Sequence, residues 1–273
     1  MADFQAILNN LLSGDNDTRN QAEEQFNGLA LSVKLPHLVT ALRALGASAE
    51  VKTMAAVLLR RVFLQLDYGD LHKEVDPGVL RQCQTELLQG LSSEPLPPIR
   101  RKIGDAVAEM ARSSIDDDNV NHWVELLSFL FECCTLEQPH LYESALHIIS
   151  VVPGVFANQL INCLDVIKGL LLKALQAPQN EVQSEAFKAT VAFITHLDSA
   201  QLRSRFIDML PLLLAIVGKS VEGQEDDSLL KAFIDLGEQC PKFMRPQLDA
   251  TIELMLKVLR HYWICMICDD SYR

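Results

Sequence analysis

The chain has 273 residues, 49% of them hydrophobic and 22% charged, a balance that calls for a packed core and excludes wholesale disorder. Its 24 Lys and Arg stand against 36 Asp and Glu, a formal net charge of −12. That balance argues against non-specific nucleic-acid binding, which needs basic groups to displace counterions, and favours basic protein partners.

Helical patterning begins at once. Met1–Asn10 carries no basic-then-apolar leader, and Phe4, Ile7, Leu8 and Leu11 fall at i, i+3, i+4, i+7. Ser13-Gly14-Asp15 offers a turn and an N-cap for a helix near Asn16–Leu29, and a further helix is predicted near Leu35–Leu45. Ser48 can cap Ala49–Gln65, where Val51, Ala55, Leu58 and Val62 form one stripe. Helices follow near Pro77–Leu91 and Pro98–Ser114, the latter with Ile99, Ile103, Val107 and Met110 on one face. The pattern continues near Asn121–Cys133, His140–Val151, Leu160–Gln176, Glu181–Leu197, Ala200–Gly218 and Asp227–Gln239, and another helix starts around Pro246. Pro97, Pro98, Pro139 and Pro246 sit where a first helical turn tolerates a missing N–H, and Pro211 is expected to kink or split its helix. No alternating β-type run appears. The apolar windows Ile161–Leu175 and Phe206–Val217 are short and broken by charges, below the roughly 18–20 residues of a membrane span. Seven cysteines without disulfide-scaffold spacing fit a reducing cytosolic or nuclear setting.

The helices repeat. Ala22, Ala55, Ile103, Ala145, Ala186 and Ala232 occupy equivalent places, separated by 33, 48, 42, 41 and 46 residues. Steps of about forty residues, each holding two helices, are the mark of a HEAT or armadillo-type array. The expected fold is an all-α, right-handed α-solenoid of about six hairpins and an incomplete seventh over residues 1–259. The segment 260–273 is expected to be an atypical tail, from a truncated or alternative form.

Several words in the sequence carry a resemblance. Arg19-Asn20-Gln21-Ala22-Glu23-Glu24 and Thr53-Met54-Ala55-Ala56-Val57-Leu58-Leu59-Arg60-Arg61 resemble the importin-beta N-terminal motif (about residues 16–92) of the karyopherin-beta family. Ile99-Arg100-Arg101-Lys102-Ile103-Gly104-Asp105, Glu143-Ser144-Ala145-Leu146-His147-Ile148 and Pro241-Lys242-Phe243-Met244-Arg245-Pro246 are similar to its importin-five (karyopherin beta-three) subgroup. The resemblance implies a nuclear transport receptor that moves between cytoplasm and nucleus through the nuclear pore. Its implied partners are Ran-GTP, phenylalanine-glycine repeats of nucleoporins, and basic cargo such as ribosomal proteins or histones, with no direct nucleic acid and no membrane insertion.

On the second helix of each repeat, polar residues off the apolar stripe form a candidate Ran-facing ladder: Arg19, Gln21 and Glu23, then Lys52, Arg60 and Arg61, then Arg100, Arg101, Asp105, Glu109 and Arg112. The plainer alternative is a solvated set of helix faces with ordinary ion pairs. Tyr142 and Leu229 replace the basic character in later repeats. The clusters Asp116-Asp117-Asp118 and Glu222 through Asp227 are candidates for basic cargo or, equally, for helix starts, with Asp227 and Ser228 as caps. On the first-helix side, Leu160, Ile161, Leu164, Ile167, Leu170, Leu171, Leu172 and Leu175 exceed one seam, so part could line nucleoporin grooves. No phosphate-binding, zinc-protease or nucleophile-elbow signature occurs. The lone Cys265-x-x-Cys268 with His261 and Cys240 falls short of a metal set. The expectation is a non-enzyme without catalytic residues, metal or cofactor. A static scaffold and a truncated, inactive form are the competing readings. Ile252, Leu254, Met255, Leu256, Val258 and Leu259 are expected to form an uncovered apolar face that frays or self-associates.

Overall fold

The computed structural model describes residues 2–44, 46–136, 138–157, 164–223 and 227–270, with the backbone alone at 2, 3, 156, 157 and 261–270. Among them the fold is all helical, and the only β-type pairing is an isolated bridge between Ile115 and Asn121. The packing divides the chain into two units, Met1–Val155 and Phe156–Arg273.

In the first unit the helices are α1 (Ala2–Leu11), α2 (Asn16–Gly28), α3 (Leu31–Arg43), α4 (Ala49–Phe63), α5 (Tyr68–Glu74), α6 (Pro77–Ser93), α7 (Pro97–Arg112), α8 (Val124–Thr135) and α9 (Pro139–Val151). The short α10 (Pro153–Ala157) spans the division. Hairpins form from α1 with α2, α3 with α4, α6 with α7 and α8 with α9. Second helices then stack laterally, α4 on α7 and α7 on α9, while α3 meets α6. The second unit holds α11 (Leu164–Leu175), α12 (Asn180–His196), α13 (Ala200–Ser204), α14 (Leu210–Glu222), α15 (Ser228–Gln239), α16 (Pro241–Met244) and α17 (Leu248–Asp270). Here α11 pairs with α12 and α14 with α15; α12 stacks on α15 and α14 on α17.

The repeat anchors mark the core. Ala22, Ala55, Ile103, Ala145 and Ala186 are buried, because a small side chain at the crossing lets the next helix approach; Ala232 is only half-buried. Around them Leu59, Phe63, Val107, Met110, Phe187 and Phe193 are all but sealed from solvent, each burial stabilising by about 1.5–3 kcal/mol. Gly104 sets the closest approach of α7 to α9: a Cβ there would lie 3.3 Å from His147 Cδ2.

Several predicted starts hold in detail. Asp15 accepts from the Thr18 amide at 2.8 Å, and Ser48 accepts from the Val51 amide at 3.3 Å. Pro97 and Pro139 stand in the first turns of α7 and α9. Pro211 splits its helix as expected, leaving α13, a 3-10 turn at Ile207–Met209, and α14 with Pro211 in its first turn. Other readings need correction. The first helix of the second repeat starts at Leu31, not Leu35, with Pro36 inside it; burial of Leu31 and Leu35 on one face outweighs the missing hydrogen bond. α5 is an unforeseen insertion, and it accounts for the long 48-residue step between Ala55 and Ile103. Asp227 occupies the N-cap position of α15 in a helical conformation, and its side chain accepts from no first-turn amide. Pro246 lies in a 3-10 turn ahead of α17, which continues without a break through 260 to Asp270. Leu254 and Val258 are covered, while Leu248, Ile252, Leu256 and Leu259 remain half or more exposed along one side of α17.

Candidate protein-binding interface

The ladder lies in the first unit, on α2, α4 and α7, and most of its charges meet partners one repeat away. Arg61 of α4 reaches back to α2, bonding Glu23 at 3.0 Å and the Asn27 side-chain oxygen at 3.2 Å. Lys52 of α4 reaches forward to Glu94 at 2.9 Å. Arg60 stands 3.9 Å from Glu109 of α7, and Arg112 brings an amino group within 2.9 Å of the other Glu109 oxygen without hydrogen-bond alignment. From α7, Asp105 bonds His147 of α9 at 2.7 Å, and Arg100 stands 3.6 Å from Glu143. Arg19 turns back on its own helix start, bonding the Ser13 carbonyl and Asn16.

Exposure sorts the ladder into two groups. Arg19, Gln21, Arg60, Arg61, Arg101 and Arg112 are exposed; Glu23, Lys52 and Asp105 are intermediate. Arg100 and Glu109, at 5% and 3% exposure, are not on an open face at all, which corrects their place in a partner-facing set. Arg100 is held inside because its guanidinium caps the C-terminal end of α6, donating to the Glu94 carbonyl at 3.2 Å. Tyr142 and Leu229, expected to mark the fading of the ladder, are likewise buried, whereas Gln183 at the same place in the fifth repeat is half-buried.

The electrostatics follow from these contacts. Burial pushes the Asp105 carboxyl up, but the hydrogen bond and charge of His147, with Arg60 and Arg101 nearby, outweigh it and hold the group below the ordinary carboxylate range. Burial pushes the Tyr142 phenol well above its usual value, and lifts the Cys83 and Cys133 thiols to about 11 and about 12.

Glu94, Glu143, His147 and Ser113 belong to this network without having stood out in the sequence. The Ser113 hydroxyl lies within hydrogen-bond reach of the Phe63 and Leu66 carbonyls, fastening the end of α7 to the end of α4. A signal for three of them existed: Lys52 with Glu94 and Asp105 with His147 are each 42 residues apart and Arg100 with Glu143 is 43, about one repeat period, with complementary partners.

The remaining candidates separate in the same way. Asp116 organises its own loop: His122 hydrogen-bonds one oxygen at 2.7 Å, the Val120 and Asp118 amides the other, and these contacts lower its pKa. Glu222 is tied to Lys257 of α17. Of the apolar excess on α11, Leu164, Ile167, Leu171 and Leu175 are buried and Leu170 and Leu172 intermediate; Leu160 and Ile161 lie outside the described residues. The side chains of His261, Cys265 and Cys268 do too. Among the described residues no cluster of metal-ligating side chains occurs, and no helix is long and apolar enough to cross a membrane.

Comparison with known proteins decides the family. The family profile described as "IPO5-like, TPR repeats" matches residues 95–254, more than half of the chain. The chain belongs to the importin-5-like branch of the importin-beta family. Spacings near forty residues are those of HEAT hairpins, longer than the 34 of a TPR unit. Importin subunit beta-3 of Saccharomyces cerevisiae is 27% identical over 93% of this chain and 24% of its own length. The probable importin-5 homolog of Dictyostelium discoideum is 24% identical with the same coverage. The crystal structure of Kap121p bound to RanGTP superposes with a TM-score of 0.76 at 25% identity, covering 95% of this chain and 24% of Kap121p. Kap121p has also been solved with Nup53p and with Pho4p. This importin-family chain therefore has an all-α solenoid fold and spans about a quarter of the length of the curated relatives it matches.

Proposed function

We infer that this importin-family chain acts in nuclear transport by binding Ran in its GTP-loaded form. The observation that carries the reading is the exposure of Arg60, Arg61, Arg101 and Arg112 on two adjacent helices, α4 and α7, of a strongly acidic chain. Guanidinium groups there offer charge-assisted, bidentate hydrogen bonds to carboxylates of a partner. The match to a Kap121p structure determined with RanGTP supports Ran as the partner. Arg19, Gln21, Glu23, Lys52 and Asp105 would flank that contact, and Arg100 and Glu109 would support it from within.

The acidic balance of the chain, with Asp117 and Asp118 exposed, suits basic cargo, and the Kap121p complexes with Nup53p and Pho4p support nucleoporin and cargo binding by a receptor that moves between cytoplasm and nucleus. No enzyme activity enters this reading. Pull-down with Ran loaded with GTP or GDP tests it: retention of the GTP form alone is expected. A combined Arg60→Ser and Arg61→Ser change should weaken retention by about tenfold or more. Equal retention of both nucleotide forms, or none by the folded chain, refutes it.

A further inference from the structure

An open pocket of about 290 Å³ lies in the second unit, where α13 meets the turn between α15 and α16. Its apolar wall comes from Ala200, Ile207, Cys240, Pro241 and Phe243, and its polar rim includes Arg203 and Lys242. Two features of its rim bear on what it can hold. Four cations of this unit are turned to neighbouring carboxylates: Lys168 to Asp208, Arg205 to Asp165, Lys188 to Glu185 and Lys257 to Glu222. Among the described residues Arg203 and Lys242 make no ion pair, and no carboxylate lines the pocket. The Arg203 Nε–H is also shut off from solvent with no acceptor. That guanidinium lies close enough to the buried Cys240 thiol to oppose the upward push of burial on its pKa.

The shape and charge select a ligand class. The volume admits one or two side chains but not a helix, which needs a groove about 10–12 Å across. The wall accepts an aliphatic group, and the two free cations accept a carboxylate beside it. We propose that this pocket binds a short acidic-aliphatic peptide segment of a partner protein, with its carboxylate on Arg203 and Lys242 and its aliphatic side chain against Ile207 and Phe243. The site is opposite in sign to one that would take basic cargo, and it lies on a different unit from the α4 and α7 arginines. Its success or failure is therefore independent of the Ran reading.

The test is fluorescence anisotropy with the whole chain and two labelled, end-capped dodecapeptides that differ only in their core, Glu-Leu-Leu-Asp against Gln-Leu-Leu-Asn. Saturable binding of the acidic peptide is expected, weakening as salt is raised, with the neutral peptide at least about tenfold weaker. Arg203→Gln should weaken the acidic peptide by about tenfold. Lys242→Gln, at an exposed position that cannot disturb folding, should act in the same direction, and Ala200→Trp should block the pocket. Far-UV circular dichroism confirms that each variant is folded. Equal binding of the neutral peptide or of a neutral Phe-Gly peptide would overturn the proposal. So would insensitivity to both Arg203→Gln and Lys242→Gln, or no binding of the acidic peptide at millimolar concentration.

Discussion

The bond between Lys52 and Glu94 offers the sharpest test of how the first unit is held together. The Glu94 side chain is 4% exposed and that of Lys52 20%, with 2.9 Å between them. The other Glu94 oxygen accepts from the Leu96 amide at 3.1 Å. Lys52→Met removes the cation and leaves a buried carboxylate with one amide donor, so the expected loss is about 3 kcal/mol, the low end for a broken buried pair because Lys52 retains some solvent. Glu94→Leu alone should cost about 1–2 kcal/mol: the Leu96 amide loses its acceptor, while Lys52 can extend into water. In the double variant an aliphatic pair fills the space and only the amide penalty remains, so its cost should also be about 1–2 kcal/mol, well below the sum of the single changes. Trp123 is 1% exposed at the start of α8, and in a Trp263→Phe background its fluorescence reports urea unfolding of this unit. The reasoning fails if Lys52→Met costs less than about 0.5 kcal/mol, or if the two changes simply add.

Asp105 makes the first unit sensitive to acid. Its folded pKa lies below the unfolded value, so its contribution is complete above about pH 4 and is lost as pH falls through the folded value. Asp105→Asn should therefore destabilise at pH 7 and make no difference near pH 2, measured as paired urea midpoints across that range; a constant gap would contradict it. Ile103, fully buried in α7, should cost about 3 kcal/mol when changed to Ala, against less than about 0.5 kcal/mol for the exposed Val57 of α4. Cys83 and Cys133 should resist thiol reagents until the chain unfolds, since both are buried with raised pKa; peptide mapping after pulse labelling checks this. On α17, Ile252→Lys and Leu256→Lys should leave the unfolding midpoint nearly unchanged and reduce concentration-dependent association in sedimentation, because both side chains are half exposed.

The hairpin array was legible because two signals coincide at each second helix, an apolar stripe and a small anchor. All six second helices lie within a residue or two of their predicted bounds, and five of the six anchors are buried. First helices were read less well. One runs on through Pro36, one is split ahead of Pro211, and α5 precedes a third; local propensity does not reveal when burial of residues such as Leu31 overrides a proline. The interface was legible as a list of charges but not as an arrangement. Arg100 and Arg101 are indistinguishable as neighbours in sequence, yet one faces the α6 terminus and the other solvent, because a helix turns about 100° per residue.

The same arginines that would meet a partner already tie adjacent repeats together, and this has an energetic consequence. Arg61 holds α2 through Glu23, and Arg60 faces the buried Glu109 of α7. Glu23 and Arg61 are each about half exposed, so their bond is worth little in water, about 0–1 kcal/mol, and a partner carboxylate can take its place at small cost. Glu109 differs, because it is buried and one of its oxygens lacks an aligned donor. Drawing Arg60 fully outward would leave that carboxylate dependent on Arg112 alone. A partner engaging Arg61 should therefore loosen only the α2–α4 seam, whereas one engaging Arg60 must keep it near Glu109 or supply a replacement cation. Binding at this face is thus coupled to the spacing of α4 and α7, and Arg61→Ser should weaken binding with little loss of stability. Arg60→Ser should lower both together.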